Sequence, residues 1–229
     1  SSWRGALNGA EPVSPDTTRK FSERFQAYGL QPEAMMSVYG LAENSVGLSF
    51  PPLARGPLID RIQRDAFMRR GQAQPATSKD RTALEFVSCG TPLDGHQIRI
   101  VDPANLELPE CHEGHLQFIG PSSTSGYFRN PTATGQLFRD DWLDSGDLAY
   151  ISDGEVYLTG RVKDIIIRAG RNIYPHELEE AVGKLDHIRA GRVTTFGSTN
   201  IKSGTERLTV LAETPSQHED TLTRLRKEI

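Results

Sequence analysis

Cys89 and Cys111 are the only cysteines in 229 residues. That is too few for a disulfide framework, and a reducing compartment suits them. No apolar run approaches the roughly 20 residues of a membrane span. The opening SSWRGALNGAEP lacks the charged-then-apolar order of a secretion signal. A basic excess is missing as well: 26 Lys and Arg stand against 30 Asp and Glu, a net charge of -4, and the cations are scattered rather than clustered. Nucleic acid is therefore not expected as a partner. What is present, 36% hydrophobic and 24% charged residues, is the profile of a soluble globular protein with length for one large or two small domains. The cytoplasm is the expected location.

Residues 7–12, LNGAEP, read as the end of a strand that turns at Pro12, and Ser14-Pro15-Asp16 is a helix start for 17–28. Phe21, Phe25 and Tyr28 fall at helical spacing and are expected to face the core. Residues 35–39, MMSVY, form a second strand ended by Gly40. Strand, helix and strand make a parallel α/β unit, in which ligands sit beyond the carboxyl ends of the strands. From 50 to 86 the pattern changes to Pro51-Pro52, Arg55-Gly56-Pro57, an amphipathic piece over 58–68 and the polar stretch GQAQPATSKDRT, the composition of a mobile surface segment. Residues 87–158 alternate short apolar strands (IRIVD, HLQFIG, GYF, DLAYI, EVYLT) with Gly, Pro and Asp turns, the punctuation of a barrel or sandwich. Cys111-His112-Glu113-Gly114-His115 has no further ligands placed to complete a metal site. Beyond Lys163 the pattern predicts a strand at 164–168, a turn at Ala169-Gly170, a helix over 175–185, strands at 194–196 and 208–211 and a helix over 215–229.

The densest chemistry lies at 142–179. Ser145-Gly146-Asp147 reads as a small-residue turn presenting a carboxylate, and Thr159-Gly160-Arg161 as a second turn presenting a guanidinium. Between them LAYI and EVYLT are joined at Ser152-Asp153-Gly154, whose Asp-Gly step signals a hairpin. Its ends bring Asp147 and Arg161 together. Such a carboxylate can accept from two neighbouring hydroxyls, as ribose recognition requires; a surface salt bridge at a hairpin base accounts for the same spacing.

The wording of four stretches adds to this reading. Thr159-Gly160-Arg161-Val162-Lys163-Asp164, with Gly170 and residues 173–179, IYPHELE, resembles the hinge signature of the adenylate-forming ligase superfamily, which comprises acyl-CoA synthetases, peptide-synthetase adenylation domains and luciferases. Ser145-Gly146-Asp147 resembles its ribose motif, Tyr39-Gly40-Leu41-Ala42-Glu43 its adenine and metal motif, and Asn8-Gly9-Ala10-Glu11-Pro12 its adenine-edge strand. Four motifs in the family's order and spacing make chance agreement improbable. Ala42, where the wider superfamily commonly has Thr, is similar to the fatty acyl-AMP ligase branch, in which an extra segment restrains the small domain at about residues 50–86.

The resemblance implies an α/β fold with a small β-barrel subdomain (α/β portion 1–86, barrel 87–161) and a truncated α+β domain over 162–229. It implies Mg²⁺ and ATP, a fatty or other carboxylic acid, and a phosphopantetheine thiol on an acyl carrier protein or coenzyme A. Gly9, Ala10 and Glu11 would line the adenine edge, with Tyr39 stacked on the ring beside Gly40. Glu43 would hold Mg²⁺ as a catalytic residue, and Asp147 and Arg161 would grip the ribose. Lys163 matches the hinge of the small domain, with a catalytic role, and Gly170 the glycine of the thiol tunnel. Two family features are missing: the Ser/Thr/Gly-rich phosphate loop with its lysine, and the C-terminal catalytic lysine. The chain is thus expected to cover about half a ligase and to be inactive alone. The alternatives are an acyl-CoA synthetase, an amino- or aryl-acid adenylation domain, or a nucleotide-binding module without the chemistry.

Overall fold

In a computed structural model the described residues are 3–168, 170–199 and 206–229. They divide into two compact units, Ser1–Val162 and Lys163–Ile229.

The first unit begins with β1 (Ala6–Asn8), α1 (Pro15–Gln26) and β2 (Met35–Ser37), with β1 and β2 paired in parallel. Ser14 caps α1 by accepting from the Thr17 amide at 3.3 Å, with Pro15 in the first turn, where its missing N–H costs nothing. The aromatic stripe departs from expectation. Phe21, Phe25 and Tyr28 are 37%, 41% and 73% exposed, and α1 buries Thr18 instead. The rings pack on each other, Phe21 on Phe25 at 4.6 Å between centroids, because no described element covers that face.

After β3 (Ser49–Phe50) the chain runs through β4 (Ile59–Ile62), α2 (Arg64–Arg70) and β5 (Leu84–Val87). The segment expected to be a mobile excursion is packed, and its 58–68 piece is a strand followed by a helix. β4 and β5 pair antiparallel, Ile62 and Phe67 are fully buried, and Phe67 meets Tyr150 edge-on at 5.7 Å. Its polarity misled because arginines satisfy the loop's carbonyls: Arg61 Nη2 donates to Asp80 O at 2.8 Å and Arg64 Nε to Thr82 O at 2.7 Å. Arg55 donates to both oxygens of Glu155, at 2.5 and 3.1 Å, and the Ser88 hydroxyl donates to the same carboxylate. Burial alone would raise the Glu155 carboxyl, but these donors outweigh it and hold it below the ordinary carboxylate range.

β6 (Thr91–Pro92), β7 (Gln97–Val101), β8 (Gly114–Ile119), α3 (Pro131–Leu137), β9 (Phe138–Arg139), β10 (Trp142–Ser152) and β11 (Glu155–Arg161) complete the unit. Five of them build an open half-barrel sheet in the order β11-β10-β8-β7, with β9 against β10. Residues 126–128 are not one of its strands: the Tyr127 amide donates instead to Thr134 Oγ1 at 2.9 Å. Leu48, Ile100, Leu116, Phe118, Leu143, Ala149 and Val156 form the core of the sheet, and Tyr39 and Leu41 pack against it.

The second unit contains the hairpin β12 (Ile166–Arg168) and β13 (Arg171–Ile173), α4 (Pro175–Gly183), the antiparallel pair β14 (Val193–Thr199) and β15 (Glu206–Ala212), and α5 (Glu219–Glu228). Of the expected turn, Gly170 has φ +71° and Ala169 lies outside the described residues. Tyr174 is buried, and Glu179 on α4 accepts from the Thr195 amide of β14 at 2.7 Å. α5 starts at Glu219 rather than 215, because the Ser216 amide turns back to Thr214 Oγ1 at 3.2 Å.

Candidate functional site

The site is built on the β10–β11 hairpin. Asp153 and Gly154, at φ +51° and +74°, make the two-residue loop, a type I′ pattern matched to strand twist. The Glu110 carboxylate accepts from both loop amides, at 3.0 and 3.1 Å. This turn sets the register as far as Ala149 opposite Leu158; there β11 carries one extra residue, Thr159, and the shift brings Asp147 opposite Arg161 rather than Gly160.

Neither end of the hairpin is the turn the sequence suggests. Residues 159–161 lie within β11, and Ser145-Gly146-Asp147 is an interruption inside β10. From Asp144 to Leu148 β10 advances four residues while β8 goes from Gln117 to His115, two residues, so two residues of β10 are looped out. Side chains and backbone fix the loop: Gly146 N–H donates to Asp144 Oδ1 at 2.9 Å, Ser145 Oγ to Leu116 O at 2.9 Å, Asp147 N–H to Ser145 Oγ at 3.1 Å, and Val162 N–H to Gly146 O at 3.0 Å. Gly146 sits at φ +74°, which a residue without Cβ adopts freely.

This bulge presents Asp147. Its carboxylate is buried, with Oδ1 3.3 Å from Arg161 Nε and Oδ2 accepting from Tyr39 Oη at 2.6 Å. Arg161 is 59% exposed, so the pair is buried at the carboxylate and open to solvent at the guanidinium. Burial raises the Asp147 carboxyl above the ordinary carboxylate range; Tyr39 and Arg161 oppose the rise, while Asp144 and Glu43 add to it. The Tyr39 phenol is pushed well up, by burial first and by the Asp147 charge next.

Tyr39 comes from the chain just after β2, where its amide and carbonyl pair with Ser49. Next to it, Gly40 lies so close to the neighbouring backbone that an added Cβ would stand 1.5 Å from the Val46 carbonyl oxygen. Gly40 is thus required by packing. Gly9 has the same constraint beyond β1, where a Cβ would stand 2.6 Å from Val38 O, so the segments following the two parallel strands lie side by side. Ala10 has φ +70°, and Glu11 is exposed without a hydrogen bond or ion pair among the described residues.

Glu43 lies in a single 3₁₀ turn, Ala42–Asn44. Its carbonyl accepts from the Thr124 amide at 2.7 Å and its Oε1 from Tyr127 Oη at 2.6 Å. The hydrogen bond to Glu43 raises the Tyr127 phenol, so it stays protonated and donates. The structure brings Tyr39, Asp147 and Arg161 into direct contact and places Glu43 in the electrostatic field of Asp147. Glu11 makes no contact with this group. Lys163 and Gly170 are exposed in the second unit, and nothing lies within 4 Å of where a Gly170 Cβ would be. The sequence reading assigned no role to Tyr127, Ser145 or Asp144. Ser145 lies inside the stretch that resembles the ribose motif and Gly126-Tyr127 resembles a family step; no comparable signal marks Asp144.

Among the described residues no cluster of three His, Cys, Asp or Glu could hold a metal ion alone. In the 111–115 cluster, Cys111 Sγ faces Ser152 Oγ at 3.7 Å, His112 Nδ1 lies 3.0 Å from Glu110 O and Glu113 accepts from the Thr159 hydroxyl.

Residues 1–128 match the family described as AMP-binding enzyme. A putative acyl-CoA synthetase of Caulobacter vibrioides is 36% identical over 198 residues, 86% of this chain and 35% of that protein. A medium-chain-fatty-acid–[acyl-carrier-protein] ligase of Moorena producens is 32% identical over 232 residues, 97% of this chain and 39% of that protein. Among solved structures, one from a study of fatty acyl-adenylate ligases of E. coli and L. pneumophila superposes with a TM-score of 0.90 at 33% identity, covering 99% of this chain and 40% of that one. The chain therefore spans less of these proteins than the half expected.

Proposed function

Because this chain belongs to the AMP-binding enzyme family, we propose that the protein carrying it is an ATP-dependent acyl-activating ligase. In the proposed reaction a carboxylate oxygen of a fatty acid attacks the α-phosphorus of ATP and pyrophosphate leaves. A thiol sulfur, that of carrier-protein phosphopantetheine, then attacks the acyl carbon and AMP leaves. No covalent bond to the protein is needed, so the side chains act by holding and orienting.

The observation that supports this reading is the contact of Tyr39, just beyond the end of β2, with Asp147 of β10, which also pairs with Arg161 at the end of β11. Tyr39 and Arg161 each engage one Asp147 oxygen, and each oxygen keeps a lone pair for a ribose hydroxyl. Gly9, Ala10 and Glu11 are proposed to line the adenine edge and Tyr39 to stack on the ring; the close packing of Gly9 against Val38, which sets the segments after β1 and β2 side by side, supports this. Glu43 fits Mg²⁺: it offers a hard oxygen without a cage, as a cation that keeps water and phosphate oxygens requires. Bound there, Mg²⁺ would offset phosphate charge. Lys163 and Gly170 are proposed at the hinge and the thiol path.

Carboxylate-dependent ATP–pyrophosphate exchange by the intact protein tests the reading. Exchange with a fatty acid is expected, and Asp147→Ala should abolish most of it. Absence of exchange with every acid tried would leave a nucleotide-binding module. The acyl-CoA synthetase reading, favoured by the Caulobacter relative, predicts a thioester with free coenzyme A; transfer to carrier protein alone rejects it. An amino- or aryl-acid adenylation domain would show exchange with those acids instead. No described helix is long and apolar enough to cross a membrane, and the cytoplasm is the proposed location.

A further inference from the structure

Two loops far apart in sequence are bound together around Glu43. Besides Thr124 N–H to Glu43 O at 2.7 Å, Ser45 Oγ donates to Ser122 O at 3.1 Å, Ser122 Oγ to Asn44 O at 3.3 Å and Ser123 Oγ to Asn44 Oδ1 at 3.0 Å. Asn44 is fully buried and donates to Gly47 O at 2.6 Å, which closes the 3₁₀ turn on itself. These bonds fix the backbone on both sides of Glu43. Its side chain, a flexible two-carbon stem, is fixed by one further bond, Tyr127 Oη to Oε1 at 2.6 Å. The other oxygen, Oε2, has no hydrogen bond or ion pair among the described residues. One oxygen is therefore held and its twin presented.

From this geometry we infer that Tyr127 is a positioning residue for Glu43, holding the carboxylate so that its second oxygen meets a divalent cation. The inference rests on the Glu43 assignment proposed above. The phenol acts through Glu43, by removing the carboxylate's rotational freedom before the cation arrives and by fixing which oxygen is free. Hydrogen bonds to a metal-ligating carboxylate typically change metal affinity by about 10- to 100-fold when lost. Tyr127 is also well placed to be tested, since its ring is partly exposed and its backbone is held separately through Thr134 Oγ1.

The test is Tyr127→Phe in the intact protein, with Mn²⁺ as the probe, titrated with ATP and no acid and read by water-proton relaxation. Mn²⁺ affinity is expected to fall about 10-fold, while ATP affinity in EDTA stays at the parent value. In the exchange assay the Mg²⁺ requirement should rise, with kcat recovered at saturating Mg²⁺. Phe128→Ala, at an exposed neighbour whose ring packs under Arg129, should keep the parent affinity for Mn²⁺. Glu43→Gln separates the two levels. If Glu43→Gln weakens Mn²⁺ binding and Tyr127→Phe does not, the positioning role is rejected and the Glu43 assignment stands. If Glu43→Gln binds Mn²⁺ like the parent, the Glu43 assignment itself fails and the inference with it. Equal weakening by Phe128→Ala would mean general loop damage and would also reject it.

Discussion

Asp147 carries opposing demands. Its carboxyl is raised by burial, so the folded state binds its proton more tightly than the unfolded chain does. The stability contribution is then fully present below the unfolded pKa and lost as pH rises through the folded one. Ionised Asp147 thus costs stability at neutral pH, where the ribose recognition proposed for it needs it ionised. Asp147→Asn is expected to melt higher than the parent at pH 7, with the gain vanishing at pH 3, and to bind ATP more weakly at pH 7, with that difference also closing at pH 3. In the parent, ATP affinity should begin to fall on acidification above the ordinary carboxylate range, and the Asn variant should lose that pH dependence. Calorimetric titration across pH checks both, and a flat profile in the parent would contradict the ionised role. Tyr39→Phe deletes one hydrogen bond to this charge and should cost about 1.5 to 3 kcal/mol of folding stability at pH 7, with nucleotide binding weakened as Asp147 loses its orientation. The sequence disclosed that Asp147 and Arg161 stand at the two ends of one hairpin because an Asp-Gly turn closes it, but not that a one-residue bulge at Thr159 is what sets them opposite each other. It did not disclose that Tyr39 Oη completes the group: that contact spans 108 positions, and no local pattern encodes it.

At the scale of elements, the clearest misreading was residues 50–86, where Pro, Gly and polar residues suggested looseness. Burial there depends on cross-chain partners, Phe67 and Phe86 against Tyr150 and Arg55 against Glu155, which composition cannot show. Glu155 is held below its ordinary range, so its contribution is present above the unfolded pKa and lost as pH falls through the folded one. Glu155→Gln should cost about 3 kcal/mol, the lower end for breaking a buried pair, since Arg55 keeps some solvent. Urea unfolding at pH 7 measures it, and the deficit should shrink in acid. Gly40→Ala belongs to this scale too. The 1.5 Å approach forces the 41–47 loop away from Tyr39, so loss of ATP binding is expected together with at least about 1 to 3 kcal/mol of stability. Parent-like ATP binding by Gly40→Ala would show that the loop adapts.

Over the whole molecule, the α/β unit, four strands of the half-barrel (β7, β8, β10 and β11) and the Asp-Gly turn were legible, because period, turn chemistry and motif order agree there, whereas the strand expected at 126–128 was not found and β9 was not expected. The aromatic stripe of α1 was legible as apolar but not as exposed, since periodicity reports which face is apolar and not what covers it. Tyr28→Ser should accordingly shift unfolding of this 229-residue chain by less than about 0.5 kcal/mol, while Phe67→Ala should cost about 3 to 5 kcal/mol. A large loss at Tyr28 in denaturant melts would overturn the exposure.

The two residues looped out of β10 have a further consequence. Because a strand alternates sides every residue, excising one of them would invert the sheet beyond that point, whereas excising both restores phase and heals the ladder with β8. A descendant shortened by that pair could keep its architecture and its kinship while no longer presenting Asp147 as it stands here. Likeness to this family is thus evidence of ancestry, and the extra pair is the more direct mark to look for when the proposed nucleotide grip is tested.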